Sequence, residues 1–132
     1  MSEGFETPEQ RGERVYELFT RGSALLEAGD FAAAAISLEH ARNLEPDKTS
    51  IREALGRAYF RSGRFEQARK EFEAVVERSP VNHYAQFCLG RSLENTGRRR
   101  EASRHAALAA GMRPDRADYR ELRDRLRAAQ RA

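Results

Sequence analysis

The feature that most constrains this chain is a spacing of 34 residues that recurs in four separate columns of the sequence. Each column holds a single residue type in three successive copies: Gly22, Gly56 and Gly90; Gly29, Gly63 and Gly97; Ala34, Ala68 and Ala102; Pro46, Pro80 and Pro114. Four coincident columns do not arise by chance. The chain therefore consists of three copies of one unit, and a period of this length is typical of stacked repeat architectures.

Each copy has the pattern of a helical hairpin. Apolar residues recur at helical spacing, and no segment alternates as a strand does. The Gly29 column ends a first helix in the left-handed conformation, and the Pro46 column stops a second one. The Gly22 column lies inside the first helix, where glycine costs about 1 kcal/mol relative to alanine. Close packing against the second helix explains that cost, with the Ala34 column as the small partner.

The boundaries follow from the same signals. Residues Thr7 to Gln10 form a capping box with proline at the first helical position, so we expect the first helix to begin near Pro8 and residues 1–6 to be disordered. Asp30, Asn82 and Asp115 are candidate N-caps. The predicted units are a flexible N-terminus and helix start at 1–14, repeats at 15–48, 49–82 and 83–116, and a C-terminal capping helix at 117–132.

These residues resemble the tetratricopeptide repeat over Val15 to Arg116. The second copy carries the motif most completely, with Leu55, Gly56, Tyr59, Gly63, Phe65, Ala68, Phe72 and Pro80. The resemblance implies an all-α fold, an α-solenoid of three helix-turn-helix hairpins closed by a solvating helix with Tyr119, Leu122, Leu126 and Ala129 on one stripe. The third copy departs from the motif at Gln86, Arg99 and Ala106, and we expect it to pack more loosely.

The resemblance also implies a function. Proteins of this family are typically scaffolds and adaptors without catalytic groups, whose first helices line a concave groove that holds a peptide or a helix of a partner. The matching positions in this chain are Tyr16, Phe19, Ser23 and Leu26, then Ser50, Glu53, Arg57 and Phe60, and then Tyr84, Phe87, Arg91 and Glu94. Arginine binds carboxylates and aromatic rings bury apolar groups, so the expected ligand is acidic and apolar. Alternatively, these aromatic side chains mainly pack one hairpin on the next.

One use within the family is testable from the sequence. Some members clamp the acidic C-terminal tail of heat-shock chaperones with a set of Lys, Asn and Arg residues. The matching positions here hold Phe19, Ser23, Ala54, Tyr84 and Cys88. None of the clamp residues is present, so the resemblance does not extend to chaperone tails.

Charge suggests an alternative function. The net charge of +3 combines −5 over residues 1–48 with +8 over residues 49–132. Arg98, Arg99, Arg100 and Arg104 cluster where the third hairpin turns into its second helix, against the helix dipole. They form a candidate basic docking surface for an acidic protein or nucleic acid. The sequence has no nucleic-acid motif, and no aromatic residue is interleaved with the cluster, which favours a protein. The other interpretation is a solvated helix face.

Catalytic and metal-binding functions have little support in the sequence. His40, His83 and His105 lack the spacing to a carboxylate or cysteine that a catalytic or metal site needs, and we expect no cofactor. Cys88, the only cysteine, has the setting of a small buried apolar residue.

No secretory signal or membrane span is present, which predicts a cytoplasmic protein. We expect a monomer or weak homodimer, the latter if the acidic segment Ser2 to Thr7, with Phe5, enters the groove of a neighbouring copy.

Overall fold

A computed structural model describes residues 4–131, and this part of the chain forms seven helices and no strand. They are α1 (Pro8–Glu27), α2 (Phe31–Leu44), α3 (Thr49–Arg61), α4 (Phe65–Arg78), α5 (His83–Asn95), α6 (Arg99–Met112) and α7 (Ala117–Arg131). Helices α1 and α2, α3 and α4, and α5 and α6 pack as hairpins. Each second helix also packs on the first helix that follows it, and α7 covers α6. The predicted all-α solenoid is confirmed.

The ends of the helices largely follow the expected signals. Thr7 and Gln10 make both hydrogen bonds of the capping box, at 3.1 and 2.9 Å. Asp30 caps α2 and Asn82 caps α5. The prediction that Asp115 caps α7 is wrong, because α7 begins at Ala117 and Arg116 therefore holds the N-cap position. The Asp115 carboxylate instead accepts hydrogen bonds from the guanidinium of Arg113 at 2.9 and 2.7 Å.

The Gly22 column allows close helix contact, but in the first two hairpins the contacting residue is not the alanine of the Ala34 column. A Cβ added to Gly22 would lie 2.6 Å from Cγ of Leu38, and one added to Gly56 would lie 2.8 Å from Cζ of Phe72. These large side chains follow the alanine column by one helical turn. They fill the space that the glycines leave.

The third hairpin does not pack more loosely than the others. Ala106 occupies the position of Leu38 and Phe72, and it is fully buried. Backbone atoms of Ala102 and Ala106 lie 3.4 Å from a Cβ built on Gly90, so α6 approaches α5 directly. The small side chain is compensated by contact with the α6 backbone and by Leu122 of α7, whose Cδ2 lies equally close to a Cβ built on Gly90.

Gln86 is likewise well packed. It is 2% exposed, its Nε2 donates to the carbonyl oxygen of Pro80 at 2.9 Å, and its Oε1 contacts Nδ1 of His105 at 2.7 Å. The amide therefore connects the turn between repeats to the second helix of its own hairpin. A polar residue at this position is an integral part of the packing.

The second hairpin has an ionic version of the same link. Arg52 donates to the carbonyl oxygen of Pro46 at 2.7 Å and to Glu71 at 3.0 Å. Glu71 is 5% exposed and also accepts a hydrogen bond from Arg42 of α2 at 2.6 Å. The buried carboxylate is thus shared by two arginines and ties together the first two hairpins.

Helix α7 ends the stack. Tyr119, Leu122 and Leu126 face the third hairpin and are almost fully buried. The positions that hold Leu89, Gly90 and Leu93 in α5 hold Arg123, Asp124 and Arg127 in α7. Asp124 and Arg127 are exposed, so this side of α7 presents charge where an inner helix presents an apolar face. None of the helices in residues 4–131 combines the length and apolarity needed to cross a bilayer.

Candidate binding groove

Some of the residues predicted to line the groove meet between α3 and α5. A cavity of about 140 Å³ lies there, and five of the predicted residues line it: Arg57, Phe60, Tyr84, Phe87 and Arg91. Arg61, Phe72 and Cys88 complete its wall and floor. A cavity of roughly 150 Å³ in a protein can accept a benzene ring, so this one has room for a single large apolar side chain.

The two predicted arginines carry charge into this cavity without a close carboxylate partner. The guanidinium of Arg91 lies 4.5 Å from the ring centre of Phe60 and 5.8 Å from that of Phe87. Within residues 4–131, no carboxylate lies within 4.0 Å of Arg91, and the nearest to Arg57 is Glu27, at 4.0 Å. The rings hold Arg91 by cation–π attraction, while its hydrogen-bond donors stay available.

The first repeat contributes less than predicted. Tyr16 is 70% exposed, whereas Phe19 and Ser23 are partly buried on α1. Leu26 does not face the groove: it is 6% exposed and belongs to the main core cluster. None of these residues lines the cavity between α3 and α5.

The remaining predicted positions are polar. Ser50 is exposed, and Glu53 is partly buried and accepts a hydrogen bond from Nδ2 of Asn82 at 3.1 Å. Glu94 accepts two hydrogen bonds from Arg125 of α7, each at 2.9 Å. The Arg125 guanidinium lowers the pKa of Glu94, and the pair is neutral as a unit.

Helix α7 extends the groove by one more repeat, which the sequence analysis missed. A second cavity, of about 270 Å³, lies between α5 and α7 and is lined by Phe87, Arg91, Asp118, Glu121, Leu122 and Arg125. The signal was present, because Arg57, Arg91 and Arg125 continue the 34-residue spacing. A capping helix at 117–132 implies a buried stripe and does not by itself indicate a face that lines a cavity.

The ionisable groups at the floor between α3 and α5 stay uncharged near neutral pH. Burial raises the pKa of the Cys88 thiol to about 12 and also raises that of the Tyr84 hydroxyl. Cys88 is therefore protonated and 8% exposed, the state of an inert apolar side chain. Within residues 4–131, no group of three or more His, Cys, Asp or Glu side chains is arranged to hold a metal ion.

The basic patch lies away from this groove. Arg98, Arg99, Arg100 and Arg104 are all exposed. A shallow cavity of about 830 Å³ is lined by the first three of them and by the C-terminal end of α7. Arg98 occupies the N-cap position of α6 without a capping hydrogen bond, and its nearest carboxylate is Glu66, at 3.8 Å.

Comparison with known proteins agrees with the fold. No curated protein sequence matches this chain significantly. Among solved structures, the first tetratricopeptide domain of Spaghetti (RPAP3), bound to the HSP90 peptide SRMEEVD, is similar with a TM-score of 0.85 and 15% identity over 91% of this chain and 95% of that one. A MamA structure (MSR-1) has a TM-score of 0.81 and 26% identity over 88% and 67%. The tetratricopeptide domain of Arabidopsis OM64 has a TM-score of 0.83 and 18% identity over 90% and 98%.

A family match agrees with these structural likenesses. Residues 25–88 match the tetratricopeptide repeat family. This range extends from the end of α1 to the middle of α5, so it contains the complete second hairpin, whose sequence follows the motif most closely. Residues 25–88 thus carry a tetratricopeptide repeat, and the described chain has the fold of tetratricopeptide domains.

Proposed function

We propose that this protein is a non-enzymatic adaptor that binds a segment of a partner protein, carrying acidic and apolar residues, in the groove formed by α1, α3 and α5. The observation that carries the proposal is the cavity between α3 and α5. Two arginines without close carboxylates border a pocket whose floor is aromatic. Such a site offers burial to an apolar side chain and bidentate hydrogen bonds to a neighbouring carboxylate.

The proposal does not include the ligand of the structural relative RPAP3. The positions matching the chaperone-tail clamp are Phe19, Ser23, Ala54, Tyr84 and Cys88. Ala54 and Cys88 are each only 8% exposed, and none of the five has a cationic side chain. A peptide bound here meets its positive charge at Arg57 and Arg91, which continue the column of Ser23 in the second and third repeats.

A second candidate function is docking of an acidic protein on the basic patch. One observation favours it: within residues 4–131, Arg99, Arg100 and Arg104 have no carboxylate within 4.0 Å, whereas the exposed Arg125 of α7 is paired with Glu94. Unpaired surface charge attracts an oppositely charged partner in a salt-dependent way.

One capture experiment tests both candidates. Immobilised wild-type protein, an Arg57→Ala/Arg91→Ala variant and an Arg99→Ala/Arg100→Ala variant are incubated with native cell extract, and bound proteins are quantified by mass spectrometry. The two variants lose the same charge, so each serves as the control for the other. Groove binding predicts partners that are lost from the first variant and retained by the second. The reverse result supports the basic patch, and partners retained equally by both variants contradict both functions.

A further inference from the structure

We infer that the groove selects a segment of mixed charge: one with an acidic and an apolar side chain for the cavity between α3 and α5, and a basic side chain for the cavity between α5 and α7. This inference rests on the proposed function and adds the chemistry of the second cavity. The two cavities share a wall, because Phe87 and Arg91 line both. A single bound segment can therefore occupy both of them.

The charges of the second cavity differ from those of the first. Arg125 is held by Glu94 in a bidentate pair, and Asp118 is held by Arg116 at 2.9 Å. Within residues 4–131, Glu121 has no cationic group within 4.0 Å, and its side chain is exposed. The available charge contributed by α7 is therefore a carboxylate beside the apolar side chains of Phe87 and Leu122.

The acidic and basic side chains of the groove lie on opposite sides of it. Glu53 and Arg57 on α3 stand one helical turn apart, and Glu121 and Arg125 on α7 occupy the corresponding positions two repeats later. The carboxylates thus lie along one side of the groove and the arginines along the other. Phe87 occupies the acidic position on α5, so the aromatic centre separates two acidic ends.

This arrangement of charges favours a segment of mixed charge over a uniformly acidic segment or a nucleic acid. A uniformly acidic segment can place carboxylates on Arg57 and Arg91, but an acidic residue directed towards α7 meets Glu121, since Arg125 is already paired with Glu94, and like charges repel there. The phosphates of a nucleic acid meet the same repulsion. A segment that follows its acidic residue with a lysine or arginine satisfies both cavities, and the long alkyl stem of that residue can lie against Phe87 and Leu122.

The test uses a random dodecapeptide library displayed on phage and selected on the wild-type chain. We expect enriched sequences to combine an acidic residue, a large apolar residue and a Lys or Arg. The best peptide is synthesised in two forms, one with its basic residue and one with norleucine at that position. Binding of both forms is measured to the wild type, to Glu121→Gln and to Glu101→Gln, a control that removes an exposed carboxylate outside the groove.

The expected result is a coupling between Glu121 and the basic residue of the peptide. Glu121→Gln weakens the basic peptide about two- to five-fold, the range for one exposed ion pair, and leaves the norleucine peptide unchanged. Glu101→Gln changes neither. Enriched peptides without a basic residue, or equal effects of Glu121→Gln on both forms, overturn the inference while leaving groove binding intact. The proposed function itself fails if the enriched peptides bind Arg57→Ala/Arg91→Ala as well as they bind the wild type.

Discussion

Gln86 and His105 form a hydrogen-bonded pair at the repeat positions that Arg52 and Glu71 hold one hairpin earlier. Because Nε2 of Gln86 donates to the carbonyl of Pro80, its Oε1 must accept, and Nδ1 of His105 is therefore the donor. The same two repeat positions are therefore joined by a charged pair in the second hairpin and by a neutral pair in the third.

The pair makes stability depend on pH. Burial and the neighbouring Arg104 lower the pKa of His105 below its ordinary value of about 6.5, although Glu101 and Glu73 act in the opposite direction. The unfolded chain therefore binds the proton more tightly, and stability is lost as the pH falls below about 6.5. Urea unfolding between pH 5 and 8 should show this slope in the wild type and a flatter one in His105→Gln. His40→Gln, at an exposed site, is the control, and an unchanged slope in His105→Gln contradicts the assignment.

Substitutions at two glycines should separate the two packing arrangements. Alanine at position 56 places a Cβ within 3.0 Å of three atoms of the Phe72 ring, and overpacking of this kind costs about 1 to 3 kcal/mol. Alanine at position 90 meets its nearest atoms at 3.4 Å, an ordinary contact, and gains up to about 1 kcal/mol of helix propensity. We expect Gly56→Ala to lower the free energy of unfolding and Gly90→Ala to leave it unchanged or raise it. Equal losses in the two variants would show that α5 and α6 cannot separate by even a few tenths of an ångström.

Truncation of buried core side chains should strongly destabilise the fold. Leu55 and Phe72 are at most 1% exposed, and Leu55→Ala or Phe72→Ala should each cost roughly 2 to 5 kcal/mol in the free energy of unfolding. Ile36→Ala, at a side chain 58% exposed on α2, provides the matched control with a much smaller expected loss. A loss from Phe72→Ala no larger than that from Ile36→Ala would contradict the observed packing.

The repeat period in the sequence predicted the hairpins and their boundaries. Contacts that depend on the distances between helices could not be predicted from it. Glycine, proline and capping residues act locally, so the hairpins and nearly all helix ends were predictable. The link between Gln86 and His105 was not, because it joins two helices through a site where the family pattern expects an apolar residue. The family pattern assigns Leu26 to the groove, but a pattern does not show which side chains the next hairpin covers, and Leu26 packs in the main core cluster.

The N-terminal segment gives a test of self-association. Met1, Ser2 and Glu3 lie outside the described residues; beyond them, Phe5 is 88% exposed and Glu6 pairs with Arg14 at 3.0 Å. If the acidic segment enters the groove of a second copy, sedimentation of the full chain should become concentration-dependent. A variant that begins at Thr7 should remain monomeric and bind groove peptides more tightly, because the competing segment is gone. If both proteins are monomeric at all concentrations and bind groove peptides equally well, the N-terminal segment does not enter the groove of a second copy.

The Glu94–Arg125 pair should limit how many acidic residues the groove accepts. Arg125 stands in the same column as Arg57 and Arg91, and Glu94 neutralises it through two hydrogen bonds. Glu94→Gln removes that carboxylate and leaves a third guanidinium available in the groove. A peptide with a second acidic residue directed towards α7 should then bind more tightly, by about two- to five-fold for one exposed pair, with a steeper salt dependence. The measurement is calorimetric titration at two salt concentrations.

A Glu94→Gln/Arg125→Gln variant separates the new attraction from the mere loss of a negative charge, because it should bind the same peptide no better than the wild type does. Tighter binding in both variants would mean that repulsion by Glu94, and not release of Arg125, controls the acceptance of acidic ligands.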